Sequence, residues 1–277
     1  MTPTTTRVAV AQMTPAPGDV ARNLARIRTL VELAAADGAE LVVLPETATT
    51  GYFILDRLAE LAEPEDGPTA TALAQIAAGA GVHLAVGMAL ADAGRYHDAQ
   101  LLWGPDGSRL ATYRKAHLFA SERAFYTAGD RPVVVETALG RIGLSVCYDL
   151  IFPGFVGRLC DLGADLVINS TNWITNDFQR HRWGWSGPTI RALAATRALE
   201  NGTWLAMADC IGHEAGFDSL GQSCLVAPSG LILASVAEGQ GVAVAELDLG
   251  GSADLDRWQA IATYRQDRRP DLYRDPT

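Results

Sequence analysis

The sequence predicts an α/β protein with a mixed sheet, and three observations carry that prediction. Short runs rich in Val, Ile and Leu read as buried strands. Ala-rich stretches with helical spacing lie between several of them, an alternation that builds parallel βαβ units. Two tight turns, Pro105-Asp106-Gly107 and Pro228-Ser229-Gly230, join consecutive strands and add antiparallel hairpins.

Val8 to Gln12 is the first strand, Val20 to Ala36 the first helix and Leu41 to Leu44 the next strand. Thr69 to Ala91 carries no charge and has the length of a membrane span. Gln75 and His83 lie inside it, however, and Gly79 and Gly81 break its middle, so it reads as a helix (Thr69 to Ala78), a turn and a strand (His83 to Gly87). Leu101 to Trp103 then runs into the first hairpin turn. Beyond it come a strand at Ile142 to Cys147, a helix at Phe155 to Leu162, a strand at Leu166 to Asn169 and a helix at Pro188 to Glu200. Strands at Trp204 to Met207, Ser223 to Ala227, Ile232 to Ser235 and Val242 to Leu247 complete the pattern.

Gly38-Ala39-Glu40-Leu41-Val42-Val43 is echoed by Gly163-Ala164-Asp165-Leu166-Val167-Ile168. Each follows a strand and a helix and closes a βαβ unit. The echo reads either as two similar halves or as a common helix-to-strand connection. No Pro-, Gly- or Ser-rich linker separates the halves, so residues 1–277 are expected to form a single domain. Its charged tail, from about residue 254 to 277, carries Trp258, Tyr264 and Tyr273. That mixture suits a segment laid across a neighbouring subunit, or a solvated tail.

Of 277 residues 48% are hydrophobic, enough for a full core and too many for a disordered chain. With 22 basic against 32 acidic side chains the net charge is −10, which disfavours nucleic acid and anionic membranes as partners. Cys147, Cys160, Cys210 and Cys224 lie far apart with no C-x-x-C pair, so neither a disulfide framework nor a zinc site is indicated, and a reduced, cytoplasmic setting is expected. The first seven residues have no basic or apolar run of the signal-peptide kind. The five histidines show no ligand-like spacing, and phosphate-loop, dinucleotide and G-x-S-x-G motifs are missing, so no metal or cofactor is indicated.

Three polar residues stand out by their placement. Glu46 follows the strand Leu41-Val42-Val43-Leu44, and Cys147 ends Ile142-Gly143-Leu144-Ser145-Val146, so both sit at carboxyl ends of strands, where open α/β sheets bind ligands. A cysteine on a strand-to-helix turn is also near a helix N-terminus, which favours the thiolate. Lys115 lies in Tyr113-Arg114-Lys115-Ala116-His117-Leu118-Phe119, a cation in a largely apolar setting. Each has a plainer reading: a small core residue for Cys147, a helix-start or surface acid for Glu46, a snorkelling lysine for Lys115. Cys160, Cys210 and Cys224 read as packing residues.

The segments Leu-Pro-Glu46-Thr-Ala-Thr-Thr-Gly-Tyr52, Tyr-Arg-Lys115-Ala-His-Leu-Phe and Gly-Leu-Ser-Val-Cys147-Tyr-Asp-Leu-Ile-Phe-Pro resemble, in order and separation, the three signatures of the nitrilase (carbon–nitrogen hydrolase) superfamily. Gly-Ala-Asp-Leu-Val-Ile-Asn-Ser-Thr-Asn172-Trp173, Arg197-Ala-Leu-Glu200-Asn201 and Arg-Arg-Pro-Asp-Leu-Tyr273 extend the resemblance over nearly the whole chain. It implies a four-layer α-β-β-α sandwich with two mixed sheets, pairing through helices into a homodimer or larger homo-oligomer. It also implies a Glu46–Lys115–Cys147 triad, with Glu122 as a fourth catalytic group or as the residue that holds Lys115. Cys147 would attack an amide carbon to form a thioester, and Glu46 would carry the protons. Lys115 and the Tyr148 backbone N–H would stabilise the oxyanion, with no cofactor.

Tyr52, Asn172 and Trp173, in these same segments, are expected to contact a small-molecule substrate. Phe178, Trp183 and Trp185 gather near Trp173 and would either wall the pocket or cover the core. Tyr148-Asp149 after the nucleophile resembles the amidase branch, since nitrilases commonly have Trp-Glu there. Ile151 and Gly154 stand where amidases for acidic substrates often have an Arg and a Glu, which points to an apolar or aromatic primary amide. A nitrilase, an N-carbamoyl amide hydrolase and a non-catalytic binding protein of the same fold are the alternatives; the intact Glu46, Lys115, Glu122 and Cys147 set argues against the last.

Overall fold

The computed structural model describes residues 5–251 and 253–273. The start of the N-terminal segment and the last four residues of the expected tail lie outside the described residues. In chain order the first half contains β1 (Thr6–Gln12), α1 (Val20–Ala36), β2 (Leu41–Val43), α2 (Leu58–Leu61), α3 (Pro68–Ala80), β3 (His83–Asp92), β4 (Arg95–Trp103) and β5 (Arg109–Arg114). The second contains β6 (Val133–Thr137), β7 (Gly140–Val146), α4 (Pro153–Asp161), β8 (Leu166–Thr171), β9 (Ile174–Thr175), α5 (Asp177–Trp183), α6 (Gly187–Asn201) and β10 (Trp204–Asp209). Then follow β11 (Ile211–Glu214), β12 (Phe217–Leu220), β13 (Cys224–Val226), β14 (Ile232–Ser235), β15 (Gly241–Leu247), α7 (Ala253–Ile261) and α8 (Pro270–Tyr273).

Among the described residues the strands form two six-stranded sheets, β15-β1-β2-β3-β4-β5 and β14-β13-β10-β8-β7-β6, and a small sheet β11-β12-β9. Both large sheets are mixed. β1, β2 and β3 run parallel, as do β7, β8 and β10, while the Pro105 and Pro228 turns join antiparallel pairs. Alternation along β1 explains the layering. Val8 and Val10 point to the second sheet and pack with Leu41, Val43, Leu144 and Ile168, whereas Ala9 and Ala11 face α1 and α3. α4 and α6 cover the far side of the second sheet through Val156, Leu159, Ile190 and Ala194. The result is the expected four-layer α-β-β-α sandwich. No described helix is long and apolar enough to cross a membrane, and Thr69 to Ala91 resolves into α3, a left-handed turn at Gly81 and β3.

The echoed connections perform the same task in each half. Glu40 N donates to the Arg7 carbonyl at 2.7 Å, and its carboxylate takes the Arg7 N–H at 3.1 Å. Asp165 N donates to the Arg141 carbonyl at 2.9 Å, and its carboxylate takes the Arg141 N–H at 2.8 Å. Each acid thus clamps the strand that begins its own βαβ unit. At the other end of the chain, Arg265 and Arg268 of the tail pair with Asp161 at the end of α4 of the same chain.

The sheets meet across polar as well as apolar contacts near the carboxyl ends of β2 and β8. Ser170 Oγ donates to the Leu44 carbonyl at 2.6 Å and accepts from Gln100 Nε2 at 2.7 Å. Gly87 on β3 backs the same place, donating its N–H to the Pro45 carbonyl at 3.0 Å. A Cβ there would fall 2.5 Å from Glu46 Cα and from the Pro45 oxygen, so only glycine lets the backbones approach. Gly87→Ala is expected to cost about 1–3 kcal/mol by forcing Glu46 aside. Thermal melting and turnover of the variant should fall together.

Candidate active site

Glu46, Lys115 and Cys147 each sit where a strand ends and the chain turns. β2 ends at Val43, and Glu46 follows on a turn whose next residue, Thr47, has φ +44°. Lys115 extends β5 by one residue. Its N–H donates to the Asp98 carbonyl and its carbonyl accepts from Gly129 N, both at 2.8 Å. Glu122 lies in a 3₁₀ turn, Ala120–Ala124, that Ala120 enters at φ +44°. Cys147 is the first residue of a second 3₁₀ turn, Cys147–Ile151, rather than the last of β7, and has φ +42°. Left-handed conformations at non-glycine residues cost of order 1–3 kcal/mol and cluster at functional sites; here three of them border this one.

The cluster is dry. Glu46, Asp98, Lys115 and Glu122 are buried, and Cys147 is 6% exposed. Lys115 Nζ donates to Glu46 Oε1 at 2.6 Å, to Glu122 Oε1 and Oε2 at 2.9 and 2.8 Å, and to Asp98 Oδ2 at 3.1 Å. Glu122 also accepts from Phe119 N at 2.8 Å and from the Tyr52 hydroxyl at 2.6 Å. Tyr52 is therefore tied to Glu122. Cys147 Sγ lies 3.9 Å from the Asn172 carbonyl. The Tyr148 N–H belongs to the first turn after β7, where amide protons lack intrahelical acceptors.

Burial sets the protonation of this cluster. It raises Glu46 well above the ordinary carboxylate range; Lys115 opposes, while Asp98 and Glu122 add to the rise. Desolvation pulls Lys115 down, but the charges of Glu46, Asp98 and Glu122 outweigh it and hold the ammonium well above its ordinary value. Burial and the Glu46 charge raise the Cys147 thiol well above its ordinary value, against Lys115 and a Thr171 hydrogen bond. That direction runs against the lowering expected of a cysteine near a helix start. Glu46, Asp98 and Glu122 offer oxygens within 4.8 Å of one another, a spacing that would suit a cation, and the Lys115 ammonium already bonds to all three.

Asp98 on β4, the third carboxyl on Lys115, escapes the sequence reading. So does the structural role of Asp149, which the sequence marks only by its place after the nucleophile. Its buried carboxylate accepts from Tyr113 Oη at 2.7 Å, His117 N at 3.0 Å, His117 Nδ1 at 2.7 Å and Val146 N at 2.9 Å. It thereby locks the segments that carry Lys115 and Cys147 together. Asp149→Ala leaves four donors without their acceptor and is expected to cost about 3 kcal/mol. Chemical denaturation should show that loss, and turnover should fall through misplacement of Lys115 and Cys147.

Arg197 braces the turn after Cys147 from α6, donating to the Leu150 and Ile151 carbonyls at 2.7 and 2.9 Å. On the other flank the aromatic expectation is only partly met. Trp173 is buried; its backbone N–H donates to Asp209 Oδ1 at 2.9 Å, and its ring meets Trp185 edge-on at 6.1 Å. Burial pushes Asp209 up to about 8 despite backbone N–H donors from Gln222, Trp173 and Cys210. Phe178 and Trp183 stand 66% and 73% exposed on α5, so they cover no core. Other aromatics attach to the site instead: Tyr52–Phe53–Phe217 beside Glu122, and Phe119–Tyr148–Phe152 beside Cys147. Cys210 and Cys224 are buried and Cys160 half-buried, as packing residues would be.

This geometry coincides with a known family. The carbon–nitrogen hydrolase sequence profile matches residues 7–257. An (R)-stereoselective amidase of a Pseudomonas species is 34% identical over 266 residues, covering 95% of this chain and 91% of its own. A nitrilase of Pyrococcus abyssi is 32% identical over 248 residues, covering 88% and 90%. Among solved structures, an amidase from Nesterenkonia sp. AN1 in complex with butyramide superposes with a TM-score of 0.82 at 28% identity, over 97% of this chain and 95% of that one. The chain belongs to the carbon–nitrogen hydrolase family. It is a carbon–nitrogen hydrolase enzyme.

Proposed function

We propose that this hydrolase converts a small, mostly apolar or aromatic primary amide to the carboxylic acid and ammonia through a thioester on Cys147. The observation that carries the reading is a thiol on a strained turn beside a buried Glu46–Lys115 ion pair. Glu46 takes the Cys147 proton as sulfur adds to the amide carbon, then delivers it to the departing nitrogen. It next removes a proton from the water that opens the thioester, and the sulfur recovers a proton as the acid leaves. Lys115 and the Tyr148 N–H receive the developing oxyanion charge. Glu122 holds Lys115, and Tyr52, Asn172 and Trp173 contact the substrate.

The aromatic groups flanking Glu122 and Cys147 support an apolar acyl part, as does the lack of a cation at Ile151 and Gly154. The butyramide complex of the Nesterenkonia amidase supports a short primary amide. The similarity to the Pyrococcus nitrilase keeps nitrile hydrolysis as the second reading. The working form is a homodimer or larger homo-oligomer, which analytical ultracentrifugation reads directly. Ammonia release from butyramide, phenylacetamide, glutamine, phenylacetonitrile and N-carbamoyl-phenylalanine tests the reaction class. The amides are expected to turn over and glutamine to lag. Turnover of the nitrile alone would move the assignment to the nitrilase reading.

A further inference from the structure

Among the described residues one ammonium, Lys115, faces three buried carboxyl groups. Glu46 and Asp98 accept from the same Nζ, and their oxygens lie within 4.8 Å of each other and of Glu122. Two ionised carboxylates so placed can only repel, because neither has a hydrogen to donate. Glu46 Oε2 and Asp98 Oδ1 are buried and have no donor among the described residues. With all three acids ionised the cluster would carry an uncompensated excess charge away from water, a state that buried groups avoid by taking up a proton.

We infer that Asp98 is a positioning residue that shares one proton with Glu46, so the base works as half of a singly protonated carboxyl pair. This rests on the proposed role of Glu46 as the base for Cys147. In the forward step the Cys147 proton moves to the pair, which then holds two protons while the thiolate adds to the amide carbon. One proton leaves with the ammonia, and the pair returns to a single proton. Asp98 thereby aims Glu46 through a hydrogen bond and keeps a second full negative charge from forming beside it. The pair titrates as a unit, not as two independent acids.

The other titratable groups around the pair are Lys115, Glu122, Tyr52, Tyr126, Cys147 and Cys210. Both tyrosines and both cysteines are raised well above their ordinary values by burial, so they stay neutral in the working range. Lys115 stays charged. The tyrosines, the cysteines and Lys115 therefore keep their ionisation where the pair changes its own.

Two measurements test this, one of them independent of turnover. In inactive Cys147→Ala protein at neutral pH, infrared difference spectra should show a protonated-carboxyl C=O band that disappears when either Asp98→Asn or Glu46→Gln is added. Asp209 contributes the same signal to all three proteins and cancels in the difference. In the active enzyme, Asp98→Ala is expected to lower kcat about a hundredfold at little-changed KM. Asp98→Asn, which still donates to Glu46, should recover most of that loss.

The pH profile supplies the sign. Activity falls on the acid side as the pair gains its second proton. Asn at position 98 keeps a neutral donor beside Glu46, as the singly protonated pair does, and therefore leaves that limb within about half a pH unit of wild type. If Asp98 were ionised instead, its charge would hold the Glu46 pKa up, and Asp98→Asn would shift the limb down by more than about one unit. That shift, or a carboxyl band unchanged in both variants, overturns the inference. If no amide is turned over, the infrared result still decides the shared proton, while the functional reading fails on its own.

Discussion

Lys115→Ala is expected to lose both turnover and a large part of the fold's stability. Its ammonium is the counter-charge for Glu46, Asp98 and Glu122, all buried. Removing one partner of a buried ionic cluster strands the others and costs about 3–5 kcal/mol. The carboxyls respond by taking up protons, which disables Glu46 as a base, and the oxyanion loses a donor, itself a loss of about 10²–10³ in rate. Lys115→Met, which fills the same space without the charge, should be more stable than the alanine variant and equally inactive. Calorimetry of both variants beside ammonia release separates the packing loss from the chemical one.

Cys147→Ala should abolish turnover, by more than about 10⁴-fold, while leaving the melting temperature nearly unchanged. The side chain is small and the left-handed turn is no worse for alanine than for cysteine. Cys147→Ser should also be close to inactive, because a buried hydroxyl is harder still to deprotonate and attacks more weakly than sulfur. An alanine variant that kept amide turnover would remove the thioester from the mechanism.

Much of the fold is legible because both large sheets are covered on both faces, which leaves short apolar runs such as Val8 to Ala11 and Leu166 to Ile168. β5 is harder to see. It lies at a sheet edge, where half-exposed positions admit Arg109, Thr112 and Arg114 and break the apolar run. β6, at the matching edge, carries a signal of its own in Val133-Val134-Val135, as does α5 in the capping pair Asn176 and Gln179. The short strands β9, β11 and β12 have too few residues to show a period.

Glu46, Lys115, Glu122 and Cys147 are legible as motif positions and converge as the resemblance implies. The roles of Asp98 and Asp149 are not, because they depend on register and on contacts distant in sequence. Counting back from the Pro105-Asp106-Gly107 turn would place Asp98 opposite Lys115 only if the irregularity between Leu102 and Trp103 were known. Asp149 faces a segment 32 residues earlier that only the packed sandwich brings to it. The resting state of the thiol is likewise set by burial, which the packed fold decides.

Acid-quenched intact-mass analysis during turnover of butyramide or phenylacetamide looks for the covalent acyl intermediate on Cys147. The expected result is an added mass equal to the acyl group, mapped to the peptide containing Cys147, released by hydroxylamine and missing in Cys147→Ala. Steady ammonia release with no adduct at any quench time, together with a Cys147→Ala protein that still turns the amide over, would contradict it.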